Sequence, residues 1–482
     1  MSGKYLFTGG YVATLDDSLG DFPNGAVLVE NGIIQAVGRV EDIKCPDAEV
    51  IDSTDGVIIP GMVDTHRHAS MSLTRGIGAD QSLLHFLSNT YLRWLPATSV
   101  DDMELSSLVG GLEALNSGVT TIIDTCESFH SGEHAEAELL GLKKSGVRAF
   151  FCFAMSDDVY GTSAVGKEGW EARLAHIQKM RSTNDPDDLV QVGMALSQPG
   201  STPFDLTKLE IAFAEKHGLL CCSHSCGLEN SIITKDIEER ASHGLMKPGH
   251  VYIHCTNLTK REIELIAESK GKISVATETD MQMACIEHGI NPSLSIDTSA
   301  AVAPDLLGQM RLALQMQRCL DNDAVHKTRQ VPLDLEYGVR DALIWGTRNG
   351  AETVGMIDRI GTLTPGKQAD IVVITSKNAI SASAYPLGTA VLHSSPADVD
   401  TVMVRGEIKK RDGVLVGHNI PEIRIKAKAG LQRIMKNLES MQLEMKPEQI
   451  RQYLLDGENL TRSNLAQAYI GEKERGDWLR RR

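Results

Sequence analysis

The chain has 482 residues, of which 42% are hydrophobic and 23% are charged, a composition that predicts a globular protein with a large core. The formal net charge of −16 argues against nucleic acid or an anionic membrane as a partner, because both are themselves negatively charged. The nine cysteines are an odd number, and we interpret them as reduced thiols of a cytoplasmic protein. Neither a secretion signal nor a run of about 18 apolar residues is visible, so we expect no membrane span.

The first 58 residues alternate between short β-prone runs and turns. Asn31 and Gly32 lie between two such runs, and this dipeptide is typical of a tight β-hairpin turn. We therefore predict a small antiparallel sheet over residues 1–58.

Residues 59–68 contain the most informative pattern of the chain, because an apolar run leads through Pro60 and Gly61 into two histidines. In a β-strand, residues two apart point to the same side, so His66 and His68 aim at one point while Arg67 turns away. Two converging imidazoles supply half of a coordination sphere for zinc, iron, nickel or cobalt. The alternative is a pair of histidines on an ordinary turn.

From residue 59 to about residue 360, β-prone runs alternate with helix-prone runs. Residues 120–124 are predicted as a strand, residues 133–144 as a helix and residues 147–153 as the next strand. This alternation predicts an α/β protein with a closed (β/α)8 barrel of the TIM type, in which catalytic groups lie at the C-terminal ends of the strands.

Three further apolar runs of this region end in a possible metal ligand. One ends in His224, another in His254 about one β/α unit later, and a third in Asp297. Each residue alone is compatible with a purely structural role. In chain order after His66 and His68, they predict a single site at the mouth of the barrel.

Beyond residue 360 the pattern returns to sheet, and its strands are predicted to join the N-terminal strands in a discontinuous β-sandwich. The predicted domains are the composite sandwich at residues 1–58 and 361–420, the barrel at 59–360 and a helical C-terminal tail at 421–482. The apolar stripe of the tail is expected to pack on its own subunit, with an interface between two copies as the alternative.

The chain resembles the amidohydrolase superfamily, in particular the branch that contains cytosine deaminase, guanine deaminase and atrazine chlorohydrolase. The resemblance rests on His66 and His68 with their Pro-Gly lead-in, and on residues 73–80 that follow them. It extends from the start of the chain to about Gly417. It implies a (β/α)8 barrel beside a small sandwich built from both ends of the chain.

The resemblance also implies one divalent metal ion per chain. The implied ligands are His66, His68, His224 and Asp297, with His254 hydrogen-bonded to the substrate or to a water at the ion. Binuclear members of the superfamily use a carbamylated lysine on the fourth strand, and residues 190–198 contain none. Zinc is the expected ion, with iron as the alternative, and Asp297 is the expected proton acceptor.

One position departs from the deaminase branch. A glutamate there follows the fifth-strand histidine by three residues and shuttles protons, whereas this chain has Gly227. Glu229 lies two residues further on, and Glu278 lies at the expected end of the seventh strand. We prefer Glu278 as the catalytic acid, because a carboxylate at a strand end reaches the barrel mouth.

Other residues are predicted to surround the substrate. These are Arg75, Gln81, Trp94, His130 and Glu229. Cys222 and Cys226 flank His224, but the implied ligand set is complete without them.

The sequence thus predicts a mononuclear metal-dependent hydrolase that breaks a carbon–nitrogen bond of a small N-heterocyclic substrate, as a deaminase does. A different leaving group (halide or alkylamine), or a lyase or cyclase step, is the enzymatic alternative. A non-catalytic assembly protein is the third. Besides the small-molecule substrate, the expected partner is a second copy of the chain, in a homodimer or homotetramer.

Overall fold

The structure is a computed structural model that describes most of the chain. The described residues are 3–81, 86, 90–126, 131–154, 167–197, 199, 203–225, 236–256, 258–280, 284–375, 377, 379–441, 446, 448–449, 451–452 and 455–456. No helix within these residues combines the length and the hydropathy needed to cross a membrane.

The N-terminal part forms five strands of a mixed sheet. They are β1 (Lys4–Val12), β2 (Phe22–Glu30), β3 (Ile33–Arg39), β4 (Glu49–Asp52) and β5 (Gly56–Pro60). The predicted turn at Asn31 and Gly32 joins β2 to β3, and both residues adopt positive φ angles, as a tight hairpin turn requires. The expectation of a purely antiparallel sheet was wrong, because β4 and β5 cross back and pair with β1 in parallel.

Eight parallel strands follow and form the barrel, each hydrogen-bonded to the next in chain order. They are β6 (Met62–Arg67), β7 (Val119–Cys126), β8 (Arg148–Ala154), β9 (Val190–Ala195), β10 (Cys221–Ser225), β11 (Val251–His254), β12 (Lys272–Ala276) and β13 (Ser293–Ser295). Every residue of β7 is buried, as expected for a strand covered on both faces.

Helices connect and cover the barrel strands. They are α1 (Leu92–Trp94), α2 (Val100–Asn116), α3 (Gly132–Ser145), α4 (Lys167–Thr183), α5 (Phe204–His217), α6 (Asp236–Ser242), α7 (Lys260–Glu268), α8 (Thr277–Asp280), α9 (Leu306–Lys327), α10 (Val339–Gly346) and α11 (Arg348–Thr353), with 3-10 turns at Ala69–Thr74, Leu95–Ala97 and Ala284–His288. Their ends follow local sequence signals. The Ser99 side chain accepts from the Asp102 amide at the start of α2, and Gly146 and Gly218 end α3 and α5 in the left-handed conformation.

The first and last barrel strands are joined at the top of the barrel. The amide of Asp297 donates to the carbonyl of His66 over 3.1 Å, and the amide of His68 donates to the carbonyl of Asp297 over 2.8 Å. Inside the barrel, the Thr65 hydroxyl bonds the Ser293 hydroxyl on β13 at 2.8 Å. At the opposite end of β6, a Cβ on Gly61 would lie 2.2 Å from a Thr120 side-chain oxygen, so only glycine lets this segment approach β7.

The C-terminal part completes the mixed sheet and adds helices. Its elements are β14 (Ile371–Thr375), α12 (Pro386–Leu392), a 3-10 turn at Pro396–Asp398, β15 (Val399–Val404), β16 (Glu407–Arg411), β17 (Val414–Leu415) and α13 (Ile420–Ser440). β14 pairs with β5, so strands from both chain ends form one nine-stranded sheet. Their inward side chains share a core of Phe7, Val12, Val27, Val29, Ile34, Ile51, Ile58, Leu363, Ala369, Ile371, Val373 and Met403. The predicted barrel with a small composite β domain is thereby confirmed, while the exact domain limits stay a prediction.

Helix α13 lies across the segment that follows β6. Ile434 is 1% exposed and packs with Leu73 and Trp94, and Arg433 forms an ion pair with the buried Asp102 of α2. This helix therefore packs on its own subunit, over the loop that leads away from the two histidines of β6.

Candidate metal centre

Four imidazoles converge at the C-terminal mouth of the barrel. His66 is at their centre, with ring centroids 4.6 Å from His68, 5.0 Å from His224 and 5.3 Å from His254. The rings of His224 and His254 stack at 5.5 Å. Each histidine ends a strand or follows it directly, so the parallel strands bring four distant sequence positions to one place.

Asp297 adds a carboxylate to the same cluster. Its Oδ1 lies 3.3 Å from His66 Nε2 and 3.5 Å from His68 Nε2. Two groups of possible ligand atoms share His66, and within each group the atoms lie within 4.8 Å of one another. One group is His66, His224 and His254, and the other is His66, His68 and Asp297. The structure therefore brings together all five residues that the strand-end pattern singled out.

Two of the five residues adopt a backbone conformation that side chains rarely take. The φ angles are 72° at His254 and 63° at Asp297, both in the left-handed region. At Asp297 the two hydrogen bonds to β6 described above keep the backbone in place, and at His254 the next amide, of Cys255, donates to the Ser225 carbonyl at 2.9 Å. Such strain persists where the surrounding structure enforces it, and it aims both side chains at the mouth.

Thr125, the second-last residue of β7, contacts His66 of β6 and His68, which follows that strand. Its carbonyl lies 3.1 Å from His68 Nδ1, and its hydroxyl lies 3.2 Å from His66 Nδ1. A carbonyl only accepts, so His68 Nδ1 carries the hydrogen and Nε2 presents its lone pair to the cluster. Sequence reasoning missed this residue, although its place at the end of the neighbouring strand was a usable signal.

A buried ion pair fixes the base of the same segment. Arg67 is 1% exposed, turns away from the cluster as predicted, and its Nε lies 2.9 Å from Asp64 Oδ2. The other oxygen of Asp64 accepts from the Ile296 amide at 3.2 Å, next to Asp297. Asp64 thus ties the two strands that carry the ligands, a role not identified from the sequence.

The electrostatics of the site favour neutral imidazoles beside an ionised carboxylate. Burial lowers the pKa of His66 to about 3, and it also lowers the pKa values of His68 and His224. Burial alone would raise the pKa of Asp297, but the neighbouring imidazoles of His66 and His254 hold it below its usual range. Neutral imidazoles keep their lone pairs, which is the state required of a metal ligand.

These donors fit a divalent metal ion. His66 Nε2 is buried and has no hydrogen-bond partner of acceptable geometry among the described residues, although Asp297 Oδ1 is close to it. A lone pair left without a donor deep inside a protein is costly, and a cation among these nitrogens and the carboxylate satisfies it. Cys222 is fully buried in an apolar cluster with Val63, whereas Cys226 lies outside the described residues.

The remaining predicted residues fall in different places. Glu278 lies on α8, its carboxylate accepts from the Ala303 amide at 3.2 Å, and burial raises its pKa. Glu278 and Arg75 line a groove of about 560 Å³ beside α2 and the start of α9. Gln81 accepts a hydrogen bond from the Thr90 hydroxyl at 2.7 Å.

Trp94 is 1% exposed and packs in the core under α13. His130, Gly227 and Glu229 lie outside the described residues. Contacts of these side chains with substrate stay predictions.

Comparison with known proteins gives consistent matches over most of the chain. The model of the Amidohydrolase family matches residues 57–409. A 5′-deoxyadenosine deaminase of Methanothermobacter thermautotrophicus is 29% identical over 414 residues, which cover 82% of this chain and 91% of the relative.

Among solved structures, an adenosine deaminase from Xanthomonas campestris with bound zinc superposes with a TM-score of 0.76 at 20% identity, covering 90% of this chain and 99% of the other. The atrazine chlorohydrolase of Arthrobacter aurescens, complexed with zinc, gives a TM-score of 0.77 at 18% identity, covering 89% and 100%. At these identities the two structures support the fold alone.

Proposed function

The chain belongs to the amidohydrolase family, and from that premise we propose that this metal-dependent hydrolase deaminates an adenine nucleoside that carries no 5′ phosphate. The relative described above as a 5′-deoxyadenosine deaminase supports this substrate class. The net charge of −16 also disfavours nucleotides, because a phosphate approaching the protein meets a negative potential.

A single observation carries the proposal. Four imidazoles and the carboxylate of Asp297 meet around His66, at the end of the barrel where enzymes of this architecture perform their chemistry. Packing of the core does not require such a cluster, because five polar groups at one buried point lower the stability of the fold unless a ligand binds them.

The proposed reaction replaces the exocyclic amine of the purine ring by oxygen. Water forms a bond to the ring carbon, the carbon–nitrogen bond breaks, and ammonia leaves. The ionised Asp297 accepts a proton from the attacking water, and a second carboxyl group, for which we propose Glu278, donates a proton to the ring or to the departing amine. His254, held beside His66, donates a hydrogen bond to the oxygen that develops charge on the ring carbon.

We propose one zinc ion per chain, held by His66, His68, His224 and Asp297. A bound zinc ion supplies Lewis-acid activation of water. The two groups of possible ligands share His66, which supports one position rather than two. The fourth strand, β9, contains no lysine to bridge a second ion.

We further propose a cytoplasmic homodimer or homotetramer. The odd number of cysteines supports a reducing compartment. Val331, Leu333 and Leu335, between α9 and α10, are 63%, 59% and 50% exposed and offer an apolar strip to a second copy.

The test of the proposed function is a substrate panel on zinc-loaded protein. We expect ammonia release and the ultraviolet change of adenine to hypoxanthine with 5′-deoxyadenosine, 5′-methylthioadenosine and adenosine, and at least tenfold slower turnover of AMP. The Asp297→Asn variant is the matched control for contaminating deaminase. Protein with one zinc per chain that releases no ammonia from any nucleoside contradicts the proposal.

A second candidate is hydrolysis with a better leaving group than ammonia. Gly227 supports it, because this chain has no glutamate at the place where the deaminase branch supplies a proton. The same panel separates the two candidates if it includes 6-chloropurine riboside. Chloride release with no turnover of 5′-deoxyadenosine favours the second candidate.

A further inference from the structure

Two buried carboxyl groups behind the histidines of β6 are not explained by the proposed chemistry. Asp124 lies two residues before the end of β7, Glu138 belongs to α3, and both are 0% exposed. Asp124 Oδ1 accepts from the amide of Ala69 at 2.8 Å, and Ala69 directly follows His68. Asp124 therefore holds the backbone at the point where the chain leaves the candidate metal centre.

Asp124 Oδ2 and both carboxylate oxygens of Glu138 are buried and have no hydrogen bond of good geometry among the described residues. The amide of Ser70 and the thiol of Cys126 lie near the Glu138 carboxyl group, but no such donor from the described part of the chain lies near Asp124 Oδ2. The two groups face one another closely enough that each changes the pKa of the other, and the Cys126 thiol is next to Glu138. Carboxylate oxygens only accept hydrogen bonds, so two carboxyl groups pack together favourably only if one of them carries a proton.

Nearby charges do not remove this requirement. Arg67 lowers the pKa of Asp124, but its guanidinium is already bound by Asp64 at 2.9 Å and by the Gly110 carbonyl at 3.1 Å. Asp64 on β6 adds further negative charge near Asp124. Two ionised carboxylates buried side by side under these conditions are strongly disfavoured, so a single proton serves both.

We propose that Asp124 and Glu138 are positioning residues that share one proton, and that the shared proton keeps Asp124 in place to hold the amide of Ala69 and thus the position of His68. The proton lies on Glu138 and is donated to Asp124 Oδ2, because Asp124 Oδ1 already accepts from a backbone amide. Neither residue touches substrate. The pair acts through the segment that presents His68, whose Nδ1 is fixed by Thr125. This positioning of His68 does not depend on the substrate class proposed above.

The chemistry of the pair suggests matched variants. In Glu138→Gln the side-chain amide replaces the protonated acid and still donates to Asp124. In Glu138→Ala the donor is gone, and Asp124 Oδ2 is left buried without a hydrogen bond. In Asp124→Asn the amide oxygen still accepts from Ala69 while its nitrogen donates to Glu138, which then ionises.

The experiment measures infrared spectra and zinc affinity of the full chain at neutral pH. We expect a protonated-carboxyl C=O band in the wild type that is lost in Glu138→Gln and in Asp124→Asn. Zinc affinity, measured by chelator competition, should stay within about threefold in these two variants and fall roughly 10-fold or more in Glu138→Ala, the range found for residues that orient metal ligands. The control is Glu262→Gln. The Glu262 carboxylate accepts from the Thr259 amide at 2.8 Å and should not contribute to this band, so the variant should keep the band of the wild type.

Two results overturn the proposal. If the difference spectrum between wild type and Glu138→Gln contains no protonated-carboxyl band, no proton is shared. If Glu138→Gln weakens zinc as much as Glu138→Ala does, the pair fills space and does not position His68. Should Glu138→Ala fail to fold, Asp124→Asn decides, since it removes the band yet must retain zinc.

Discussion

The amide of His68 donates to the carbonyl of Asp297 over 2.8 Å, which joins the first and last strands of the barrel through two residues of the candidate metal centre. The strand that closes the barrel thus also delivers its carboxylate to the histidines. Closure of the barrel therefore also assembles the metal centre. In a chain whose barrel stays open, the ligands would lie apart.

The first prediction concerns metal content. Purified protein should carry about one divalent ion per chain. Replacing His66 and His68 together by alanine should empty the site, because both side chains approach Asp297 Oδ1 within 3.5 Å. Elemental analysis after gel filtration checks this. His326→Ala, a change near the end of α9, is the control, and wild-type protein that takes up no metal would contradict the centre.

The second prediction separates proton transfer from metal binding at Asp297. Asp297→Asn keeps an oxygen beside His66 and loses the base, so it should retain much of the metal and lose activity by ~10² or more. His254→Ala should likewise slow turnover with little change in metal content. Near-wild-type kcat in Asp297→Asn, together with full metal, would place the base on another residue.

The residues that converge here were recognisable in the sequence for a physical reason. A buried strand of a barrel is an apolar run, and a polar ligand at its tip interrupts that run, as at His224 and His254. Thr125 lies next to the end of its strand and carries a side chain that also occurs throughout strand interiors. It bonds His68 through its carbonyl, which no sequence pattern reveals.

Two other features were hidden for different reasons. The parallel pairing of β1 with β4 depends on how the intervening strands fold back, which hydrophobic periodicity does not encode. Trp94 packs with Ile434 of α13, more than 300 positions later in the chain, a contact that the sequence did not predict. Long-range packing of this kind decides side-chain placement only once the whole chain is assembled.

The third prediction tests the support that Thr125 gives to the centre. Thr125→Val removes the hydroxyl near His66 Nδ1 and keeps the carbonyl that fixes His68. We expect zinc affinity to fall about 10-fold, with a loss of stability near 1 kcal/mol. Chelator competition and denaturant unfolding measure the two effects. Thr120→Val is the matched change on the same strand, and equal losses in both variants would show a packing effect instead.

The fourth prediction concerns stability and pH at Glu210. This residue is fully buried, accepts from Trp170 Nε1 at 2.8 Å and from the Ser197 hydroxyl at 2.6 Å, and burial raises its pKa from 4.5 to about 7. The folded protein therefore favours protonated Glu210. Its contribution to stability is complete below pH 4.5 and is lost as the pH rises through 7.

The measurement is urea unfolding of the wild type and Glu210→Gln from pH 4.5 to 8. Relative to the variant, the wild type should lose up to ~3 kcal/mol across this range, from about 2.5 pKa units at 1.36 kcal/mol each. Glu215→Gln, an exposed change on the same helix, should leave the pH profile unchanged. A constant difference between wild type and Glu210→Gln would show that folding does not raise the pKa of Glu210.

The last prediction addresses the acid that protonates the ring or the leaving group. Gly227 occupies the usual position of that acid, so the proton comes from another residue, and Glu278 and Glu229 are the candidates. Burial raises the pKa of Glu278, which favours the protonated carboxyl group that a general acid needs. Its carboxylate also accepts from the amide of Ala303, six residues beyond Asp297, so it is held near the loop that follows the last barrel strand.

Because a general acid contributes ~10²–10⁴ in rate, Glu278→Gln should lower kcat by at least 10², and Glu229→Gln by less than tenfold. The pH profile of kcat provides a second readout, since Glu278→Gln should remove its alkaline limb. If Glu229→Gln is instead the inactive variant, the loop after His224 restores the glutamate of the deaminase branch two residues later. If neither substitution lowers kcat, the reaction needs no acid from the enzyme, which favours a leaving group such as halide over ammonia.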